Sequence, residues 1–110
     1  ERVIKRAVKI DDEPLTIDDI LDKVCAHFSV TTTAVNSRSR KKDIVIARQV
    51  SMYMAQKYTK MPASRIGKLV GNRDHSTVIH SCSKIEDRLK VDKGFYAEIA
   101  SIENSFKLKA

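Results

Sequence analysis

Tryptophan is absent from these 110 residues, and there are only three glycines, two prolines and two cysteines. So few turn formers disfavour a turn-rich all-β fold. The two cysteines, Cys25 and Cys82, are too few and too far apart for a disulfide framework. Buried free thiols in a reducing compartment are expected, and hence a cytoplasmic chain. No apolar run approaches the roughly 18 residues that a membrane span requires. A signal peptide is missing too, because Glu1 opens a charged stretch with no apolar segment. The absence of an initiator Met is read as the mark of a fragment of something longer. What is present suffices for one folded domain, since 42% of the residues are hydrophobic, enough to build a core.

Acidic charge is scarce in one place. Residues 1–37 hold five basic and seven acidic side chains, and residues 74–110 hold six of each. Residues 38–73 hold ten basic side chains with only Asp43 against them, so the whole net charge of +7 arises there. A surplus this concentrated favours a polyanionic partner over mere solubility.

Along the chain, residues 1–14 read as a connector from a missing upstream domain. Arg2, Lys5, Arg6 and Lys9 alternate there with apolar residues, so a short basic amphipathic helix facing acidic phospholipid is an open alternative to a plain tether. Pro14 ends that stretch. Residues 15–110 read as one domain. Thr16, with Asp19 three residues on, marks a helix start, and Ile17, Ile20, Leu21, Val24 and Phe28 follow on one face. The Thr31-Thr32-Thr33 run is expected to break this helix, with a short turn through Ala34 and Val35. A flexible basic loop, residues 36–42, precedes a long helix capped by Asp43. Its expected buried stripe is Ile44, Ala47, Val50, Met54 and Tyr58, with Arg48, Gln49 and Lys57 off it. Pro62 suits the first turn of the next helix, which stops at Gly71. The following helix runs from Asp74 to about Val91, with Val78, Ile79, Cys82, Ile85 and Leu89 inward. After Asp92 and Gly94 a last helix carries Phe95, Ile99, Ile102, Phe106 and Leu108. The fold class is all-α, a compact bundle of about five to six helices.

The unit that carries chemistry lies between Pro62 and Lys84. A short helix, a glycine-containing turn and a longer helix form a helix-turn-helix, with Trp-repressor-like architecture. Gly67 inside the first of these helices is expected to let the pair approach closely. The second helix opens on the polar turn Arg73, Asp74, His75, Ser76 and Thr77, and its apolar stripe starts only at Val78. A recognition helix presents such N-terminal residues to the major groove, where Asp accepts from cytosine and Ser donates or accepts. The bland alternatives are a plain N-cap for Asp74 and ordinary helix surface for Thr77. Arg40 on its loop would enter a narrow A/T-rich minor groove, and Lys41 and Lys42 would meet phosphates. A solvated basic loop is the competing reading.

The segment Gly71-Asn-Arg-Asp-His-Ser-Thr-Val-Ile-His-Ser-Cys-Ser-Lys-Ile-Glu86 closely resembles the signature of the C-terminal DNA-binding domain of the DnaA family of bacterial replication initiators. The resemblance extends to Ile66-Gly67, Arg48-Gln49, the Ser-Arg-Ser-Arg-Lys-Lys loop and Thr16-Ile17-Asp18, and covers roughly residues 15–108. It implies binding of double-stranded DNA at short asymmetric replication-origin boxes, by a monomer. Carried over residue by residue, it implies base reading by Arg40 in the minor groove and by Asp74, His75 and Ser76 in the major groove. Arg48, Gln49, Thr77, His80 and Lys84 match positions at or near phosphates, and Arg38, Lys41, Lys42 and Arg73 join them as backbone candidates. No cofactor is implied for this domain, since the family's ATP site lies in an upstream domain. Asn72 replaces a usual glycine, Ser76 a frequent threonine and Gln56 a common basic residue, and Pro62-Ala63-Ser64 differs from the usual Leu-Pro.

Other classes fare poorly. Contiguous Asp74-His75-Ser76 at one helix start cannot form a nucleophile–base–orienter chain, and Gly67-Lys68 lacks the glycine loop of a phosphate-binding motif. An enzyme is therefore not expected. Nor is a zinc site, because His75 and His80 miss the i, i+4 spacing. A different helix-turn-helix regulator would be a tight dimer on palindromic sites, and a protein- or lipid-docking module would show no preference among duplexes.

Overall fold

The computed structural model describes residues 15–108, with side chains as far as Phe106. The expected connector at residues 1–14, with its phospholipid alternative, lies outside the described residues, as does the Leu108 side chain expected to point inward. Six helices and no strand occur among the described residues: α1 Ile17–Phe28, α2 Thr32–Val35, α3 Lys42–Tyr58, α4 Ala63–Leu69, α5 His75–Val91 and α6 Lys93–Leu108. No helix among them is long and apolar enough to cross a membrane.

Local chemistry explains most of the boundaries. Thr16 and Asp19 form a reciprocal capping box, with Asp19 N–H donating to Thr16 Oγ1 at 3.1 Å and Thr16 N–H to Asp19 Oδ2 at 3.3 Å. This satisfies two N–H groups that a helix start leaves without intrahelical partners. The threonine run does not end α1. Ser29 does, at φ 57°, a left-handed conformation that lets its N–H turn back onto the last carbonyls of the helix. The threonines instead start α2, where Thr31 Oγ1 accepts from Ala34 N–H. Asp43 is not the cap of α3. Lys41 occupies that position without a side-chain bond, and Asp43 sits in the first turn, where a carboxylate favours the helix dipole. Pro62 likewise stands one residue before α4, as its N-cap. Asp92 starts α6 by accepting from Phe95 N–H at 3.0 Å, and Gly94 lies inside that helix rather than breaking it. The Phe95 N–H, followed by the Arg88 side chain, holds the Asp92 carboxyl below its ordinary pKa.

α3 is the central strut, packed against α1, α2, α4 and α5, while α6 closes the bundle against α1 and α5. The core gathers Ile20 and Val24 of α1, Val50, Met52 and Met54 of α3, Ile66 of α4, Val78 and Ile85 of α5, and Phe95, Ile99 and Ile102 of α6. Burial of such side chains is the main driving force of folding, about 1.5–3 kcal/mol for each large one. The α3–α6 seam is closed by Tyr58 edge-on to Phe106 at 5.5 Å and by Lys57 Nζ to Glu103 Oε2 at 2.7 Å. Burial, then the Glu103 carboxylate, pushes the Tyr58 hydroxyl up to about 12. Both cysteines are free and buried.

Two expectations about helix faces are corrected. Ile79 points outward and is 52% exposed, because α5 turns Val78, Ser81, Cys82 and Ile85 inward. Arg48 lies on the buried side of α3 at 8% exposure. Its burial follows from the carbonyl partners it finds at the end of α2 and in the loop after it.

Candidate nucleic-acid interface

The helix-turn-helix is built on α4 and α5. Gly67 of α4 is buried, and a Cβ there would overlap the Arg73 carbonyl and come within 3.3 Å of Val78 Cγ2. The missing side chain lets the turn fold back on α4, where Arg73 N–H donates to the Gly67 carbonyl at 2.7 Å. The turn itself needs two left-handed residues, Gly71 at φ 77° and Asn72 at φ 56°. Glycine adopts that region freely and asparagine more readily than most residues, so the departure at Asn72 leaves the turn intact.

α5 emerges from this turn with Asp74, His75, Ser76, Thr77, His80 and Lys84 all exposed. Asp74 occupies the N-cap position but makes no capping bond. Its Oδ2 instead accepts from Ser76 Oγ at 2.7 Å. The N–H groups of the first turn thus have no side-chain acceptor, although that of Thr77 donates to the Asp74 carbonyl at 3.1 Å, and a helix start of this kind favours an anion. Thr77, His80 and Lys84 recur at spacings of three and four, along one edge of the helix. Ile79 shares a ridge with Ser76 and His75, three and four residues before it. Sequence reasoning missed Ile79 because its spacing to Cys82 also suits the core. The distinguishing signal was its neighbour Val78, which starts the inward stripe through Cys82, Ile85 and Leu89.

The basic loop, expected to be flexible, is braced by its own hydrogen bonds. Ser37 Oγ donates to the Ala34 carbonyl at 2.6 Å and accepts from Ser39 N–H at 3.1 Å, and Ser39 Oγ accepts from Lys41 N–H at 3.3 Å. Alternation does the rest: Ser37 and Ser39 are half-buried, while Arg38, Arg40, Lys41 and Lys42 are exposed. The arginines are presented by a braced segment.

That segment is tied to α3 and to the turn of the helix-turn-helix. Arg48 Nε donates to the Val35 carbonyl at 2.9 Å, and its Nη2 donates to those of Ser37 and Ser39 at 2.9 and 3.0 Å. Arg73 Nη1 donates to the Val70 carbonyl at 2.8 Å and Nη2 to that of Ser37 at 2.6 Å. Burial, then the Arg73 charge, lowers the Arg48 pKa, and burial, then Arg38, lowers that of Arg73. Among the described residues, no carboxylate pairs with Arg38, Arg40, Lys41, Lys42, Arg48 or Arg73. Gln49 is half-buried beside Arg48. The structure thus joins the Arg40 loop to the start of α5, with Ser37 three residues from Arg40 and Arg73 two from His75. No group of three or more His, Cys, Asp or Glu residues suited to a metal occurs among the described residues.

Comparison with known proteins identifies this arrangement. Residues 17–85 match the bacterial dnaA protein helix-turn-helix family. The chain is 44% identical over its full 110 residues to the chromosomal replication initiator protein DnaA of Bacteroides thetaiotaomicron, of which it covers 23%. It is 41% identical over 107 residues to that of Bacteroides fragilis, covering 97% of this chain and 22% of the relative. A third relative, from Streptococcus thermophilus, is 42% identical over 105 residues, covering 93% of this chain and 23% of that protein. The chain thus spans less than a quarter of the length of these curated relatives, and the part it matches is the helix-turn-helix domain rather than the ATPase region. It belongs to the bacterial DnaA helix-turn-helix family.

Proposed function

We propose that this chain is a sequence-specific double-stranded-DNA-binding domain that recognises short asymmetric boxes at a replication origin and so serves initiation of chromosomal replication. The observation that carries this reading is the junction at Ser37, which holds the exposed Arg40 loop against the turn that starts α5. A basic loop fixed against the exposed polar start of α5 suits a two-part grip on one duplex, with α5 in the major groove and the loop in the adjacent minor groove. The family relation supports the same reading.

On this reading Asp74, His75 and Ser76 read base edges, with Ile79 behind them as an apolar contact for a thymine methyl. Arg40 enters an A/T-rich minor groove, where narrowing strengthens the negative potential. Arg38, Lys41, Lys42, Gln49, Thr77, His80 and Lys84 lie against phosphates, which position the protein without carrying sequence information. Arg48 and Arg73 add positive charge there. The isolated domain acts as a monomer in the cytoplasm and needs no cofactor of its own, any ATP chemistry belonging to sequence outside it.

Fluorescence anisotropy with a box duplex and a base-scrambled duplex of equal length, at one stated salt concentration, tests the proposal. Specific binding should exceed scrambled binding by about 1,000-fold or more. Equal affinities for the two duplexes would reduce the domain to a non-specific polycation.

A further inference from the structure

The two halves of the grip meet at one atom. The Ser37 carbonyl oxygen accepts from Arg48 Nη2 at 2.9 Å and from Arg73 Nη2 at 2.6 Å. Arg48 projects from α3, Arg73 from the helix-turn-helix turn, and Ser37 from the basic loop. Each arginine also holds its own side of the junction, Arg48 through the Val35 and Ser39 carbonyls and Arg73 through that of Val70. Gly71 closes the approach from the turn, because a Cβ there would lie 2.8 Å from the Asn36 carbonyl and would collide with the Arg73 guanidinium.

Chemistry marks this as more than packing. Two guanidinium groups share one acceptor while no carboxylate offsets them, and burial, then a neighbouring arginine charge, lowers the pKa of both. A junction required only for stability would be better served by an acidic or apolar partner, since buried like charges cost free energy. Arginine suits the task because its planar fork holds several carbonyls at fixed angles, which a lysine ammonium does not.

Resting on the two-part grip proposed above, we infer that Arg48 and Arg73 are positioning residues whose shared bond to Ser37 sets the spacing between the minor-groove loop and the recognition helix, and thereby the length of DNA box the domain accepts. The braced loop then measures distance along the duplex as well as contributing Arg40. One inserted base pair displaces the two contact regions by about 3.4 Å and rotates them by about 35° about the duplex axis, more than a braced junction can follow.

The test uses the 110-residue chain and a box duplex selected from a randomised pool. A second set of duplexes carries one base pair inserted or removed between the A/T-rich flank and the segment read by α5. Wild type should lose about tenfold or more in affinity on the altered spacings. Arg73→Gln and Arg73→Lys should both bind the native box more weakly, with the spacing penalty shrinking to within about threefold. Arg73→Lys retains the charge, so a diminished penalty there separates positioning from simple phosphate attraction. Arg48→Lys should behave alike, and circular dichroism with thermal melting establishes that it is folded. If Arg48→Lys does not fold, the half-buried Arg73 variants still decide the matter. A uniform loss on every duplex, with the wild-type spacing penalty intact, overturns the positioning role and leaves the two-part grip standing. A wild-type chain indifferent to spacing overturns the grip, and the clamp with it.

Discussion

Asp74, His75 and Ser76 are exposed at the start of α5, and their proposed roles differ from that of Lys84 two turns further on. His75→Ala and Ser76→Ala should each cost about 1–3 kcal/mol on the box and much less on random duplex, since a base contact carries discrimination. Lys84→Ala should weaken all duplexes alike and reduce the slope of log affinity against log salt by about one. Binding isotherms on both duplexes at four salt concentrations separate these cases, and equal losses for both classes would remove the recognition-helix assignment. Ile79→Ala should leave thermal stability nearly unchanged, because the side chain is 52% exposed, yet reduce preference for the box. A drop in melting temperature with unchanged preference would return Ile79 to the fold. The polar residues of this helix start were legible in the sequence because exposed polarity is itself the signal. Ile79 was not, because an apolar residue beside a stripe reads as part of it. Arg48 was hidden for another reason: its burial depends on carbonyls of Val35, Ser37 and Ser39, 9–13 residues away. Backbone acceptors at a helix end and in a loop leave no mark in a side-chain pattern.

At the scale of elements, the ends of α3 at Tyr58 and of α5 at Val91 were legible, while several helix starts were not. The capping box at Thr16 was visible because its two partners sit three residues apart. Thr16→Ala should lower stability by about 1 kcal/mol, measurable as a shifted urea midpoint at unchanged slope. The end of α1 was not visible, since serine at φ 57° lacks the glycine that usually announces such a cap. The turn before α5 was better marked, by Gly71 and Asn72. Asn72→Gly should be neutral or slightly stabilising, whereas Asn72→Val should cost about 1–2 kcal/mol, because a β-branched residue resists positive φ. Matching melting temperatures for the two variants would mean that the turn relaxes out of the left-handed region. Inside α5, burial and then the Glu86 carboxylate raise the Cys82 thiol from 9.0 to about 11. Folding therefore favours the protonated thiol. Its stabilisation is fully present below pH 9 and declines as pH rises towards 11, where the unfolded chain gains by ionising. Thermal melts across that window should show a steeper decline for wild type than for Cys82→Ala. Parallel curves would assign the alkaline loss to other groups.

For the whole molecule, the all-α class and the helix order followed from hydrophobic periodicity, and the location of the net charge pointed to a polyanion. Neither revealed that the basic loop is fastened to α3 and to the turn, because that depends on hydrogen bonds between segments distant in sequence. That fastening converts two charged regions into one surface with a fixed geometry. A monomer with such a surface should select a single asymmetric box, whereas a dimeric helix-turn-helix regulator selects a palindrome. The most direct measurement is selection of the 110-residue chain on a randomised duplex pool at one stated salt concentration, with the stoichiometry of the selected complex determined by sedimentation. One chain per duplex on a nonpalindromic motif with an A/T-rich segment at one side is the predicted result. A palindromic motif bound by two chains, or no enriched motif at all, would contradict it.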